Sequence, residues 1–194
     1  MVYTEIVCII DKSGSMDNIK SDAIGGFNTF IEEQKKVEGT ASVTLVLFDH
    51  TYQVVYENKD INNVELLTDK TYIPGGMTAL LDAIGRTIDD IGKRLANTEE
   101  DKRPDKVMIC ILTDGEENSS NDYTRDKIKG MITHQREKYN WGFAFLGANQ
   151  DSFKEGNKIG ITKDCIANFA YTGEGVKSGY TRMSHITKSY RSTI

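Results

Sequence analysis

One stretch near the start of the chain indicates its fold: Ile6-Val7-Cys8-Ile9-Ile10-Asp11-Lys12-Ser13-Gly14-Ser15-Met16. Its first five residues form an apolar run, which is typical of a strand buried inside a sheet. Apolar residues then recur at helical spacing over about residues 17–37, which predicts an amphipathic helix. One acid and two hydroxyls therefore lie on a turn from a strand to a helix. In an open α/β sheet, such turns form the edge that binds ligands.

The rest of the chain alternates in the same way between apolar runs and helical patterns. Strands are predicted at residues 3–10, 43–48, 52–56, 106–113, 141–146 and 165–171, and helices at 17–37, 78–96, 128–139, 151–159 and 176–190. The two-residue turn Asp49-His50 makes the third strand an antiparallel partner of the second, at the sheet edge. The pattern predicts an α/β fold with a doubly wound, Rossmann-like, mostly parallel central sheet and helices on both faces. We expect one domain over residues 1–194.

The composition narrows the class of protein. A net charge of −5 disfavours nucleic-acid binding, which needs a basic surface, and no apolar run reaches the length that spans a membrane. The cysteines, Cys8, Cys110 and Cys165, lie in separate strand-like runs, so we expect buried, reduced thiols. No signal peptide is apparent before the first strand. These observations predict a cytoplasmic protein.

A candidate metal site is formed by oxygen-bearing side chains on three loops. Its members are Asp11, Ser13, Ser15, Thr78 and Asp114. Both aspartates follow strongly apolar strands and Thr78 opens a predicted helix, so the three loops converge at one sheet edge. Oxygen donors suit Mg²⁺, and equally Mn²⁺ or Ca²⁺. Because two carboxylates only neutralise such an ion, we expect it to accept a carboxylate from a partner's Asp or Glu.

Each motif also has a purely structural interpretation. Residues 11–15 could cap a helix, Asp114-Gly115 could be a simple turn, and the glycines before Thr78 could serve a turn with a helix cap. Glu116 and Glu117 are expected to be solvated, with a place at the rim of the site, near Asp114, as the alternative.

Two further features are left open. Asp49 either supports the site or merely forms the hairpin turn. The basic residues of the last helix are expected to form a solvated face, with a docking patch for an acidic partner as the alternative. They are Lys177, Arg182, Lys188 and Arg191.

The motifs together resemble the metal-ion-dependent adhesion site (MIDAS) of von Willebrand factor type A (vWA) domains. The resemblance lies in Asp11-x-Ser13-x-Ser15, in Thr78 after Gly75-Gly76, and in Thr113-Asp114-Gly115. Met77, between the glycines and Thr78, is a departure at a variable position. The resemblance covers essentially the whole chain, and the family's five coordinating positions fall on the five candidate residues. It implies bound Mg²⁺ and recognition of protein ligands, in a stand-alone bacterial or phage member that acts beside an ATPase or stress-response partner.

An enzyme is the main alternative function. A Mg²⁺-dependent phosphatase or phosphoacceptor-type enzyme could use Asp11 and Asp114 at the same edge. A phosphatase of the haloacid dehalogenase type would need a second acid in place of Ser13, and Lys12 breaks the acidic pair of a receiver. The Gly-x-Ser-x-Gly motif of serine hydrolases is absent from the sequence. A structural role without metal is the last alternative. We therefore favour a cation-dependent protein-binding module that is not an enzyme. The sequence does not indicate its oligomeric state.

Overall fold

The computed structural model describes residues 1–148 and 152–193, and its centre is a six-stranded sheet. The strands are β1 (Tyr3–Asp11), β2 (Thr40–Phe48), β3 (Tyr52–Asp60), β4 (Lys106–Thr113), β5 (Gly142–Ala148) and β6 (Ile166–Phe169). They lie in the order β3-β2-β1-β4-β5-β6, with β2 and β3 antiparallel and every other neighbouring pair parallel. This arrangement confirms the predicted fold class, including the antiparallel strand at one edge.

Helices cover both faces of the sheet. They are α1 (Lys20–Lys35), α2 (Leu80–Ala96), α3 (Arg125–Tyr139), α4 (Ser152–Lys158) and α5 (Gly173–Ser192). One face packs against α1 and α5, and the other packs against α2, α3 and α4. None of the helices in residues 1–148 and 152–193 combines the length and apolar character needed to cross a bilayer.

The central strands β1 and β4 explain the near-continuous apolar runs of the sequence. Residues of β1 from Thr4 to Asp11 are all buried, with alternate side chains facing the two helical layers. Ile10 pairs with Leu112 of β4, so the two strands end side by side. Asp11 and Thr113 are therefore brought to the same edge of the sheet by backbone pairing alone.

The structure differs from the predicted element boundaries at several places. A 3₁₀ helix, Gly14–Ile19, replaces the first turns of the predicted helix at 17–37, and α1 ends two residues early. Strand β3 continues to Asp60 because two register shifts, between Val43 and Leu45 and between Leu45 and Val46, accommodate two extra residues of β3 and prolong the pairing; Asn58 in this irregular stretch has a φ of 46°. The predicted helix at 78–96 begins at Leu80, and the last strand is shorter than predicted. Position 151, the predicted start of α4, lies outside the described residues.

Two predictions about side chains outside the candidate site were wrong. Cys8 and Cys110 are buried as expected, but Cys165 ends a 3₁₀ turn before β6 and is only half-buried. Arg191 is buried instead of solvated, because its Nη1 donates to the Gln34 carbonyl oxygen (2.6 Å) in the last turn of α1. The basic surface of α5 therefore excludes Arg191.

Candidate metal centre

Asp11 is the most tightly fixed member of the candidate site. Its carboxylate is fully buried; Oδ1 accepts a hydrogen bond from the Ser13 backbone N–H (2.7 Å), and Oδ2 accepts one from the Thr113 hydroxyl (2.6 Å). The Tyr72 hydroxyl donates to the Asp11 carbonyl oxygen (2.5 Å). Main chain and carboxylate are thus held from three sides, which orients the carboxylate before any ligand arrives.

The other four candidate residues meet beside Asp11. The hydroxyl oxygens of Ser13 and Ser15 are 3.2 Å apart, and the Ser15 hydroxyl donates to Oδ1 of Asp114 (2.8 Å). A methyl group placed on Gly115 would lie 3.2 Å from Oγ1 of Thr78 and 3.7 Å from Oγ of Ser15. The structure therefore brings all the predicted site residues to one place, where the missing side chain of Gly115 leaves room between two hydroxyls.

Thr78 is held by the loop that follows β4. Its backbone N–H donates to Oδ1 of Asn118 (2.9 Å), and its carbonyl accepts from the Asn118 N–H (3.1 Å). Glu117 is only partly exposed, contrary to prediction, because its carboxylate accepts hydrogen bonds from the N–H groups of Leu81 and Ser120 (2.9 and 2.7 Å). This loop therefore links the Asp114 turn to Thr78 and to the first turn of α2.

The two carboxylates are in an environment that disfavours their charge. Burial raises the pKa of the Asp11 carboxyl to about 6, against hydrogen bonds from Thr113 and Ser13 that lower it, and the Asp114 charge adds to the rise. Burial also raises the pKa of Asp114. Oδ2 of Asp114 is buried, and no donor in the described residues meets hydrogen-bond geometry with it, although the Tyr171 hydroxyl lies near enough to lower the pKa of the carboxyl. Such an oxygen, beside the hydroxyls of Ser15 and Thr78, is available to a cation.

The donor set fits a hard divalent cation. In residues 1–148 and 152–193, no group of three or more His, Cys, Asp or Glu side chains could hold a metal. The candidate site instead combines two carboxylates with three hydroxyls, all of them oxygen donors. Such donors match Mg²⁺, Mn²⁺ or Ca²⁺ in preference to the softer metals that bind thiolate or imidazole.

A family model matches most of the chain. The family model for the von Willebrand factor type A domain matches residues 5–180. The chain belongs to this family. The predicted resemblance is thereby confirmed at the level of the vWA domain, and domains of this family are generally interaction modules rather than enzymes. No curated protein shows a significant match to the chain.

Solved structures share the fold at low sequence identity. Proximal thread matrix protein 1 from the mussel byssus, with a zinc-occupied MIDAS motif, superposes with a TM-score of 0.68 at 14% identity over 96% of this vWA chain and 46% of its own. The ArnB paralog VWA2 from Sulfolobus acidocaldarius superposes with a TM-score of 0.60 at 14% identity, over 92% of this chain and 44% of its own. The pilus adhesin SpaC from Lactobacillus rhamnosus GG, in an open conformation, superposes with a TM-score of 0.69 at 15% identity, over 98% of this chain and 30% of its own. The chain thus spans less than half of each of these proteins.

Sequence reasoning missed several residues that surround this vWA site. Tyr171 was predicted to end the last strand, but it lies beyond β6, and its hydroxyl donates to the Ser15 carbonyl oxygen. Asn118, which holds Thr78, was not singled out by the sequence. Neither residue has a sequence signal of its own, because each acts through a contact between loops that are distant in sequence.

Proposed function

We propose that this vWA chain is a divalent-cation-dependent protein-binding module that captures an acidic side chain of a partner protein through a MIDAS-type Mg²⁺ site. The proposed ligands are Asp11, Ser13, Ser15, Thr78 and Asp114. The observation that carries the proposal is the buried, unpartnered Oδ2 of Asp114 beside a cluster of hydroxyls. The zinc-occupied MIDAS of the mussel protein supports a divalent cation at the corresponding edge of the fold.

The charge of the proposed ligands explains why we expect a carboxylate of the partner as a further ligand of the cation. Asp11 and Asp114 supply two negative charges, and the hydroxyls of Ser13, Ser15 and Thr78 supply none. Mg²⁺, when bound, supplies Lewis acidity toward an outside oxygen, as Mn²⁺ or Ca²⁺ would on the same donors. A carboxylate brought by the partner completes the set without a further acid from this chain.

The arrangement supports binding over the alternative of a Mg²⁺-dependent phosphatase or phosphoacceptor-type enzyme. A phosphoacceptor carboxylate needs an oxygen that is free to attack phosphorus. Both oxygens of Asp11 accept hydrogen bonds inside the protein. Oδ1 of Asp114 accepts from Ser15, and its Oδ2 is buried. Asp11 therefore has no oxygen left free to attack phosphorus, which disfavours it as a phosphoacceptor.

An uncharged, exposed loop adjoins the site and defines the rest of the proposed contact surface. It consists of residues 73–77, in which Ile73 is 64% exposed and Met77 is 57% exposed. The loop is held in place by hydrogen bonds from Gly75 N–H to the Lys12 carbonyl (2.8 Å) and from Gly14 N–H to the Gly76 carbonyl (3.1 Å). A preformed apolar surface costs little to order on binding. We infer that an apolar residue lies close to the captured acid in the partner.

The proposal is tested by panning a random dodecapeptide library, displayed on phage, on the immobilised chain in Mg²⁺ and eluting with EDTA. Peptides rich in Asp or Glu are expected in the EDTA eluate, because the cation is the link between chain and peptide. Elution of the same peptides without EDTA, or an eluate with no acidic enrichment, would contradict the proposal.

Replacing both Ile73 and Met77 by Ser is expected to weaken binding of the selected peptides about tenfold, because it removes apolar contact next to the cation. The affinity for Mn²⁺ alone should not change. Val54→Ser, at an exposed apolar position in the middle of β3, is the matched control and should bind peptides like the wild type. Fluorescence polarisation with a labelled peptide measures both, and equal affinities for all three proteins would rule the loop out of the contact surface.

We also propose a cellular compartment, a class of partner and a domain organisation for the protein. The three cysteines form no disulfide in the described structure, which supports a reducing, cytoplasmic environment. The net charge of −5 supports a protein partner over nucleic acid. We further propose a single domain over residues 1–194, of the stand-alone bacterial or phage type, with an ATPase or stress-response protein as its partner.

A further inference from the structure

An ion pair largely shielded from water lies directly behind the candidate metal centre. Nζ of Lys12 is 2.5 Å from Oδ2 of Asp49, and the two side chains are only 14% and 7% exposed. Oδ1 of Asp49 is occupied too, since it accepts from the N–H and the hydroxyl of Thr51 (2.5 and 2.7 Å). Neither residue belongs to the proposed ligands. Because desolvating two charges is costly, such a pair needs a structural or functional reason.

The main-chain carbonyl groups of Lys12 and Asp49 accept hydrogen bonds from residues on either side of Thr78. The Lys12 carbonyl accepts from the Gly75 N–H (2.8 Å), and the Asp49 carbonyl accepts from the Ala79 N–H (2.9 Å). The Lys12 N–H donates to the Phe48 carbonyl (2.6 Å), which joins the loop after β1 to the end of β2. Lys12 and Asp49 are therefore each bonded through the main chain to the segment that carries Thr78, and their side chains join the two residues to each other.

The loop also packs directly on the end of β2. Gly76 has a φ of +76°, and a Cβ at this position would lie 2.2 Å from Nδ1 of His50 and 3.4 Å from Cγ of Asp49. Only a residue without a side chain allows the backbone to approach so closely. Asp49 and His50 thus form the surface on which the turn before Thr78 rests.

We propose that the Lys12–Asp49 ion pair is a positioning element that holds the Thr78 hydroxyl against the Ser13 and Ser15 hydroxyls and so sets the cation affinity of the site. It does this without contacting the cation. The inference rests on the proposed function, because it assumes that the five ligands bind a cation. Substitutions of residues behind metal ligands typically reduce metal affinity by about 10- to 100-fold.

Lys12→Met distinguishes positioning from simple electrostatics, since the two effects have opposite signs. Loss of the ammonium makes the neighbourhood of the site more negative, so electrostatics alone would tighten the binding of a cation. If the pair positions Thr78, the same change leaves Asp49 unpaired, loosens the loop and weakens binding.

The experiment is titration calorimetry of Mn²⁺ alone into the full chain, for wild type, Lys12→Met, Lys12→Arg, Thr78→Ala and the double variant Lys12→Met/Thr78→Ala. Lys12→Met is expected to weaken Mn²⁺ binding about tenfold or more, whereas Lys12→Arg keeps the ion pair and should stay close to wild type. The double variant should bind like Thr78→Ala, because the residue that the pair positions is already gone. Lys20→Met is the control: it removes the same charge from an ion pair with the exposed Asp69 and should leave the affinity unchanged.

Unchanged or tighter Mn²⁺ binding by Lys12→Met would overturn the inference, as would losses that add in the double variant. A purely structural role would lower the unfolding free energy in EDTA without the loss of affinity, and that result would also overturn it. If wild type binds no Mn²⁺, the proposed function fails and the inference fails with it. Should Lys12→Met not fold, Asp49→Asn with and without Thr78→Ala provides the same test of non-additivity.

Discussion

Replacing Asp114 by Ala is expected to weaken Mg²⁺ and Mn²⁺ binding by more than about 100-fold, beyond the loss typical of residues behind the ligands. The change removes one of only two negative charges in the site, and it removes the oxygen that accepts no hydrogen bond from the described residues. Cation-dependent peptide capture should be lost with it. Titration calorimetry with Mn²⁺ measures the first effect, and the EDTA-sensitive fraction of bound phage measures the second.

The fold of the Asp114→Ala chain should remain intact. Burial raises the pKa of this carboxyl, which means that its negative charge destabilises the folded chain while no cation is bound. The unfolding free energy of the variant in EDTA should therefore not fall below that of wild type. Wild type should gain about 2.7 kcal/mol at a cation concentration one hundred times its Kd, and the variant should gain less than about 0.4 kcal/mol at that concentration. Glu116→Ala, an exposed acid two residues away, is the control and should resemble wild type. Capture that persists in Asp114→Ala would exclude the proposed site.

Replacing Arg94 by Met is expected to lower the free energy of unfolding by about 3–5 kcal/mol. Glu5 is fully buried near the start of β1, and its Oε1 accepts from Nη2 of Arg94 (2.5 Å) and from the Thr44 hydroxyl (2.8 Å). Its Oε2 has no hydrogen-bond partner in the part of the chain that the structure describes. Without the guanidinium, a carboxylate would be left in the core with one hydroxyl as its partner. Urea denaturation followed by circular dichroism measures the loss.

Two comparisons make this second prediction specific. Lys93→Met removes the same charge from the same helical turn at an exposed position, and should change the unfolding free energy by less than about 0.5 kcal/mol. Glu5→Leu combined with Arg94→Met should recover most of the stability, because an apolar pair replaces an ionic one. A loss in Arg94→Met no larger than that of Lys93→Met would show that the buried pair contributes little. Since Glu5 and Asp11 lie at opposite ends of β1, Mn²⁺ affinity should be unchanged in conditions where the variant is folded.

The convergence of the candidate ligands could be predicted from the sequence because it follows from backbone rules. Apolar runs before Asp11 and Asp114 indicate central parallel strands, and parallel strands end at one edge of the sheet. Side-chain periodicity then assigns helices to both faces. For the same reason the short turn after β2 was sufficient to place β3 at the sheet edge, antiparallel to β2, although the turn has three residues, Asp49 to Thr51, and not the two that were predicted. These features depend on patterns that are local in the chain.

The contacts that fix the site could not be predicted in this way. Lys12 was a free position in the motif, and Asp49 was as consistent with a turn as with a supporting role. Their pairing depends on the exact packing of two loops that lie 37 residues apart in sequence. Glu117 was misjudged because charged residues after a strand are usually solvated, whereas here the N–H groups of α2 and of the adjoining loop face its carboxylate. Side-chain partners of this kind are determined by tertiary packing, which composition and periodicity do not encode.

The hydrogen bond between Ser15 and Asp114 joins residues that are 99 positions apart in the chain. No short fragment can reproduce such a site, and during folding it appears only after the crossover from β1 to β4 is complete. A cation therefore cannot nucleate the chain as it does a zinc finger. Cation binding at the proposed site would stabilise only the fully folded chain. The amount of cation bound would therefore measure the folded fraction of a preparation.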